Sequence, residues 1–158
     1  MLNKNFNALL SSVFMSENTS GTITIHDIKG STSGVKPLST AASNGSNTCE
    51  NMSNSDNTNG STGIFLFTDT FNEDSATYVV PTEFTDYAVT SHNKSGSNEN
   101  VALMYTRTIT PKSNATIKSI GLLMYYYNNP CLIAFENLAE PVQLTAGELH
   151  TFTFAIKV

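Results

Sequence analysis

Between residues 101 and 158, apolar and polar side chains alternate in short runs separated by turn residues. Val101, Leu103, Tyr105, Arg107 and Ile109 share one face of the first run, with Ala102, Met104, Thr106 and Thr108 opposite. Successive side chains of a strand point to opposite sides, so this alternation predicts a strand with one covered face. Residues 115–127 predict a longer strand, with Ile120, Leu122, Met124 and Tyr126 on one side and Leu123, Tyr125 and Tyr127 on the other. Both faces are apolar, so one is expected to cover a core and the other to meet a partner. Residues 111–114 and 128–130 read as turns. Runs at 131–135, 141–145 and 150–158 predict three more strands, with Ala146-Gly147-Glu148 as the hairpin turn joining the last two.

The first half carries fewer signals. Phe6, Leu9, Leu10, Val13 and Phe14 recur at helical spacing over residues 5–15, which predicts a short amphipathic helix. A helix of that length is marginal alone, so its stripe must dock on the β domain or on another protein. Residues 22–28 alternate as a strand, and 63–68 (GIFLFT) is apolar on both faces, as a strand covered on two sides would be. Residues 77–80 read as a short extended piece ending at Pro81, and 81–89 as a structured loop leading into another strand. Residues 29–62 hold almost nothing apolar beyond Val35, Leu38 and Met52, so a long exposed polar loop is expected there, with a second at 91–100. The predicted architecture is all-β: an antiparallel β-sandwich, jelly-roll or immunoglobulin-like, over residues 21–158, preceded by a helical arm at 1–20.

Composition sharpens this reading. Charged residues make up 13% of the chain, about half the usual share. Ser, Thr and Asn fill the gap with 57 of 158 residues, Thr suiting strand faces and Asn and Ser suiting turns. The net charge is −5 with Lys and Arg scattered singly, so no direct nucleic acid partner is expected. The opening residues are too polar for a signal peptide and too short to span a bilayer, so neither export nor a membrane partner is expected. The six N-x-S/T sequons follow from the Asn, Ser and Thr content and carry no weight. Cys49 lies in a polar tract and Cys131 opens an apolar run, which reads as one loop thiol and one core thiol rather than a disulfide.

No catalytic kit emerges. His26, His92 and His150 stand apart, without the convergent spacing of metal ligands. No G-x-S-x-G elbow or phosphate-cradling loop occurs. Glu73, Asp74, Glu83 and Asp86 share one loop region, but the chain lacks the Trp platforms of a glycosidase cleft. Residues 55–60 echo a calcium loop whose twelfth position falls on Leu66 instead of a carboxylate. A non-enzymatic chain without metal or cofactor is expected. Tyr is enriched at protein contacts, so Leu123, Tyr125 and Tyr127, with Phe6, Leu10 and Phe14 of the arm, are the candidate subunit contacts. The plainer alternative is that the tyrosines are ordinary sheet residues.

The C-terminal half resembles a broad group of tailed-phage structural proteins. The resemblance lies in residues 108–113 (TITPKS), 117–122 (IKSIGL), 132–135 (LIAF), 141–144 (PVQL), Gly147-Glu148 and 151–156 (TFTFAI). Pro81-Thr82 with Asp86-Tyr87 is similar to a turn of that group, and the opening helix to its N-terminal arms. Ser119 stands where the group usually carries Glu, and the strand end before the 81–87 turn and the 29–62 insertion also depart from its pattern. The resemblance implies a virion component assembled in the host cytoplasm: a capsid-decorating, head-fibre or tail and connector accessory protein. Its partners would be its own copies and other virion proteins. The rival reading is a carbohydrate-binding adhesin module, whose partner would be a host glycan.

Overall fold

The computed structural model describes residues 1–8, 23–35, 63–74, 78–95, 101–126 and 129–157. Its strands, in chain order, are β1 (Ile23–His26), β2 (Thr32–Val35), β3 (Gly63–Phe67), β4 (Tyr87–Ser95), β5 (Val101–Pro111), β6 (Ala115–Tyr126), β7 (Asn129–Leu144) and β8 (His150–Lys157). The fold is all-β, with a short helix at residues 4–8. β1 and β2 form one sheet, and two three-stranded sheets run β3-β6-β7 and β4-β5-β8. The chain divides into two compact units: Met1–Thr62 with Asn72–Val80 and Leu123–Phe135, and Gly63–Phe71 with Pro81–Leu122 and Glu136–Val158.

In the first unit the chain start lies along β7. Leu2 bridges Ala134, Asn3 N donates to Ile133 O at 2.9 Å, Phe135 N donates to Met1 O at 2.9 Å, and Met1 N donates to Phe135 O. Asn3 then caps the helix: its Oδ1 accepts from Asn5 N at 2.8 Å, satisfying one of the backbone donors that a helix start leaves without a partner. Phe6 packs against Ile25, Cys131 and Ile133, so the first turn of the predicted stripe docks on its own chain. Leu9, Leu10, Val13 and Phe14 lie outside the described residues.

The expectation of one continuous loop from residue 29 is corrected at its start, where β2 pairs with β1 in register Ile25↔Ser33 and His26↔Thr32. Asp27 makes the turn: its carboxylate accepts from Lys29 N at 2.9 Å and Ser31 N at 2.8 Å, and Gly30, at φ 83°, donates to Asp27 O. The D-x-x-G spacing was a legible turn signal, because the Asx side chain mimics a backbone turn and only Gly adopts that φ without strain. β2 (TSGV) has almost no alternation to show.

Four further expectations are corrected, at residues 91–95, along β7, at the 146–148 turn and at 78–80. Residues 91–95 are not loop but the second half of β4, held by backbone pairing from Ser91↔Thr108 to Ser95↔Met104 after a register break at Val89/Ser91. The runs at 131–135 and 141–145 belong to one strand, β7, because nothing in Glu136–Glu140 breaks the pairing. The 146–148 turn does not close a hairpin: β8 pairs with β5, in register Thr106↔Thr153 and Arg107↔Phe152, and the turn carries the chain from one sheet to the other. Gly147, at φ 84°, donates to Pro111 O at 2.8 Å, and Ala146 N donates to Asn114 Oδ1 at 2.8 Å, so the two crossing turns brace each other. Residues 78–80 form no strand.

Alternation holds along β5 and β8. Tyr105, Arg107, Ile109, Phe152, Phe154 and Ile156 point inward, and Thr106, Thr108, Thr151 and Thr153 outward. Each buried aliphatic or aromatic side chain contributes about 1.5–3 kcal/mol, whereas a cross-strand Thr pair adds only about 0.2–1 kcal/mol. The core therefore holds the unit together, and the Thr face refines its register.

Candidate functional site

In the second unit one charged side chain, Arg107, is buried among the described residues. β5 alternation sends it inward, where it is 8% exposed, between β3 and the 81–87 segment. Its guanidinium lies 5.2 Å from the centroid of the Phe65 ring, and Nη1 donates to Tyr87 Oη at 3.4 Å, a long bond. Its Nε finds no partner among the described residues. Gly63 makes room for the group: a methyl there would stand 2.9 Å from Nη2.

The 81–87 segment runs beside β3 and is tied to it by an isolated bridge. Glu83 bridges Phe67, Phe84 N donates to Leu66 O at 2.8 Å, and Thr68 N donates to Thr82 O at 3.0 Å. Asp86 fixes its far end, its carboxylate accepting from Ser113 Oγ at 2.5 Å and its carbonyl from Lys112 N at 2.9 Å. Burial raises the Glu83 carboxyl above its ordinary pKa, and the Arg107 charge opposes this. Burial also raises Tyr87, again against Arg107, which keeps the phenol neutral. The guanidinium thus lies beside the Phe65 ring and the Tyr87 hydroxyl, and its charge acts on the partly buried Glu83. Such a group anchors the 81–87 segment.

The sign of the Glu83 shift yields a test. An acid with a raised folded pKa favours the folded state below its unfolded value, and this advantage disappears as pH rises through the folded value. Stability should therefore fall as pH rises from about 4.5 through the folded pKa of Glu83, and Glu83→Gln should remove that fall. Thermal midpoints from pH 4 to 8 are expected to diverge in favour of the glutamine above that window; parallel curves would contradict the assignment.

Of the sequence-predicted contact residues, the side chains of Leu123 and Phe6 are described. Leu123 is 2% exposed, which corrects its assignment to a partner-facing surface: β6 is buried on both faces from Ile120 to Leu123. Phe6 is half-buried in the cluster described above. Leu10, Phe14 and Tyr127, with the side chain of Tyr125, lie outside the described residues. Cys131 is buried, as expected of a core thiol, and Cys49 lies outside the described residues.

His26 stacks on Tyr78 with centroids 4.0 Å apart, and His150 Nε2 accepts from Thr145 N at 3.4 Å. Among the described residues no three His, Cys, Asp or Glu side chains form a group that could hold a metal, and no helix is long and apolar enough to cross a membrane.

Two asparagines escaped the sequence reading. Asn5 is 1% exposed; its Oδ1 accepts from His26 N at 2.8 Å, and its Nδ2 donates to His26 O at 2.7 Å and Leu132 O at 3.0 Å. Asn137 does the same for Phe71, accepting from its N at 2.7 Å and donating to its O at 2.9 Å. Each amide pairs with a backbone residue as a neighbouring strand would. Nothing in their sequence context separates them from the other asparagines, whereas Arg107 was visible as a charge on the inward side of an alternating strand.

Elsewhere the second unit presents a polar sheet face. On β4-β5-β8, hydroxyls meet across strands at Thr90–Thr110 (3.2 Å), Thr106–Thr153 (3.3 Å) and Thr108–Thr151 (2.9 Å), all exposed. Comparison of the chain with protein-family models, with curated proteins and with solved structures finds no match.

Proposed function

We propose that this chain is a non-enzymatic structural component of a tailed-phage virion, a capsid-decorating, head-fibre or tail and connector accessory protein that acts through subunit–subunit contacts. The observation that carries the reading is the surface of the β4-β5-β8 sheet: threonine-lined, with β4 and β8 as its outer strands among the described residues, over buried Tyr105, Ile109, Phe152, Phe154 and Ile156. Such a surface suits docking of an extended partner. The acidic and basic side chains around Arg107, by contrast, are engaged in holding the 81–87 strap.

Where the resemblance lies also supports it. Its motif residues fall at the β5 end, within β6 and β7, at the crossing turn and in β8, all of them in the second unit except residues 132–135 of β7. The sheets β3-β6-β7 and β4-β5-β8, with β3 against β5 and β8, would be the two leaves of the proposed sandwich. Repetition on a symmetric particle would multiply weak individual contacts into stable attachment.

Quantitative mass spectrometry of purified particles tests the reading. The chain is expected in a fixed copy number set by the symmetry of its site, with no binding to a glycan array. Absence from particles together with glycan binding would replace this reading with the adhesin.

A further inference from the structure

The edges of the second unit are not treated alike. The outer edge of β3 is covered by residues 82–84, through the Phe67–Glu83 bridge and the hydrogen bonds flanking it. The outer edge of β7, over Glu136–Leu144, carries exposed Glu136, Glu140 and Pro141, two charges and a residue without an N–H. β4 is interrupted by its register break at Val89/Ser91. Charges, prolines, bulges and covering loops are the devices by which proteins prevent edge-to-edge pairing.

Among the described residues β8 shows none of them before its last residue, Lys157. Among the described residues it pairs only with β5, and its sequence HTFTFAIK contains no proline, no acid and no charge before its last residue. Its pairing with β5 is regular from Leu103↔Ile156 to Ile109↔His150. Leu149, directly before it, is 66% exposed, and the inward Phe152, Phe154 and Ile156 each keep 6–8% exposure along the strand.

We infer that β8 is the self-association edge of this protein, pairing antiparallel with β8 of a second copy about a two-fold axis through Thr153. This rests on the proposed function, in which the chain assembles with its own copies.

The strand's own sequence favours a second copy as the occupant. With Thr153 opposite Thr153, Phe152 of each copy faces Phe154 of the other on the inner side, and His150 faces Ile156. Thr–Thr and aromatic–aromatic pairs are the favourable cross-strand combinations, and no like charges stand opposite each other. The Thr pairs already formed between β5 and β8 would continue across the axis, producing one six-stranded sheet with an unbroken threonine face. One strand pair buries less than the roughly 1,000 Å² of a stable interface, so the contact is weak in isolation and suited to repetition on a particle.

Cysteine crosslinking in the full chain tests this. In a Cys49→Ser background, Thr153→Cys is expected to give an oxidised dimer. Thr106→Cys is not, because three strand spacings of about 4.8 Å separate the two copies of that residue. Thr153→Lys, which sets like charges opposite each other, should lower the dimer fraction at least about tenfold, whereas Thr153→Val should keep it.

A wild-type oligomer without the Thr153 crosslink would overturn the β8 assignment and leave the assembly reading standing. A monomer at every concentration with β8 amides protected from exchange would mean that a segment of the same chain fills the edge, which also overturns the assignment. A monomer with unprotected β8 amides would overturn the assembly reading itself.

Discussion

Asn5→Ala should lower the free energy of unfolding by about 3 kcal/mol, the sum of three hydrogen bonds at about 1 kcal/mol each. The amide serves His26 N, His26 O and Leu132 O from a position with almost no solvent contact. Removing it leaves these backbone groups short of partners where water reaches poorly. Asn5→Asp should be worse at neutral pH despite its closer shape. A carboxylate still accepts from His26 N, but its second oxygen then faces two carbonyl oxygens where the amide donated. Only a protonated Asp can donate, so the variant should regain stability on acidification, the sign expected of a buried acid whose folded pKa is raised. Urea unfolding at pH 7 and pH 4 measures both effects. A loss within about 0.5 kcal/mol for Asn5→Ala, the range of an ordinary surface change, would show that the chain start is not held this way.

Asn137→Ala should cost about 2 kcal/mol, for the two bonds it makes to Phe71. The consequence reaches the core, since Phe71 is buried edge-on against Phe67 with centroids 4.9 Å apart. Ser119, wholly buried, holds the same loop by donating to Asp69 O at 2.6 Å, which gives a physical reason for a small hydroxyl residue there. A carboxylate in that position would be buried beside a carbonyl. The exposed Lys118–Asp69 pair, at 3.5 Å, adds little. Amide exchange at Phe71 should rise in Asn137→Ala and stay near the wild-type rate in Lys118→Ala; the reverse order would move the anchor from the amide to the ion pair.

The strands that alternation marks most clearly, β5 and β8, stand where their side chains predict them, because burial of one face is what the pattern encodes, and β6 stands where its apolar run predicts a strand. Strands defined by backbone pairing were harder to read. β2 and the second half of β4 are rich in Ser, Thr, Gly and Asn, and only their partners make them strands. The 146–148 turn was recognised as a turn, yet local sequence could not say that it crosses between sheets, since that depends on β8 finding β5.

Leu123 was misplaced for a related reason. An apolar outward face on β6 looks the same in sequence whether a neighbour or the chain itself covers it. Arg107 was legible as an anomaly, a charge in an inward register, though its place beside Phe65 and Tyr87 required the fold. Asn5 and Asn137 were hidden by their abundance, because an amide that replaces a peptide group carries no marker in composition or spacing.

Sedimentation velocity of the intact chain across a wide concentration series addresses the central claim most directly, because a building block must associate with its own copies. The expected result is a concentration-dependent shift from monomer to a discrete larger species. A single monomeric boundary at every concentration would contradict the account.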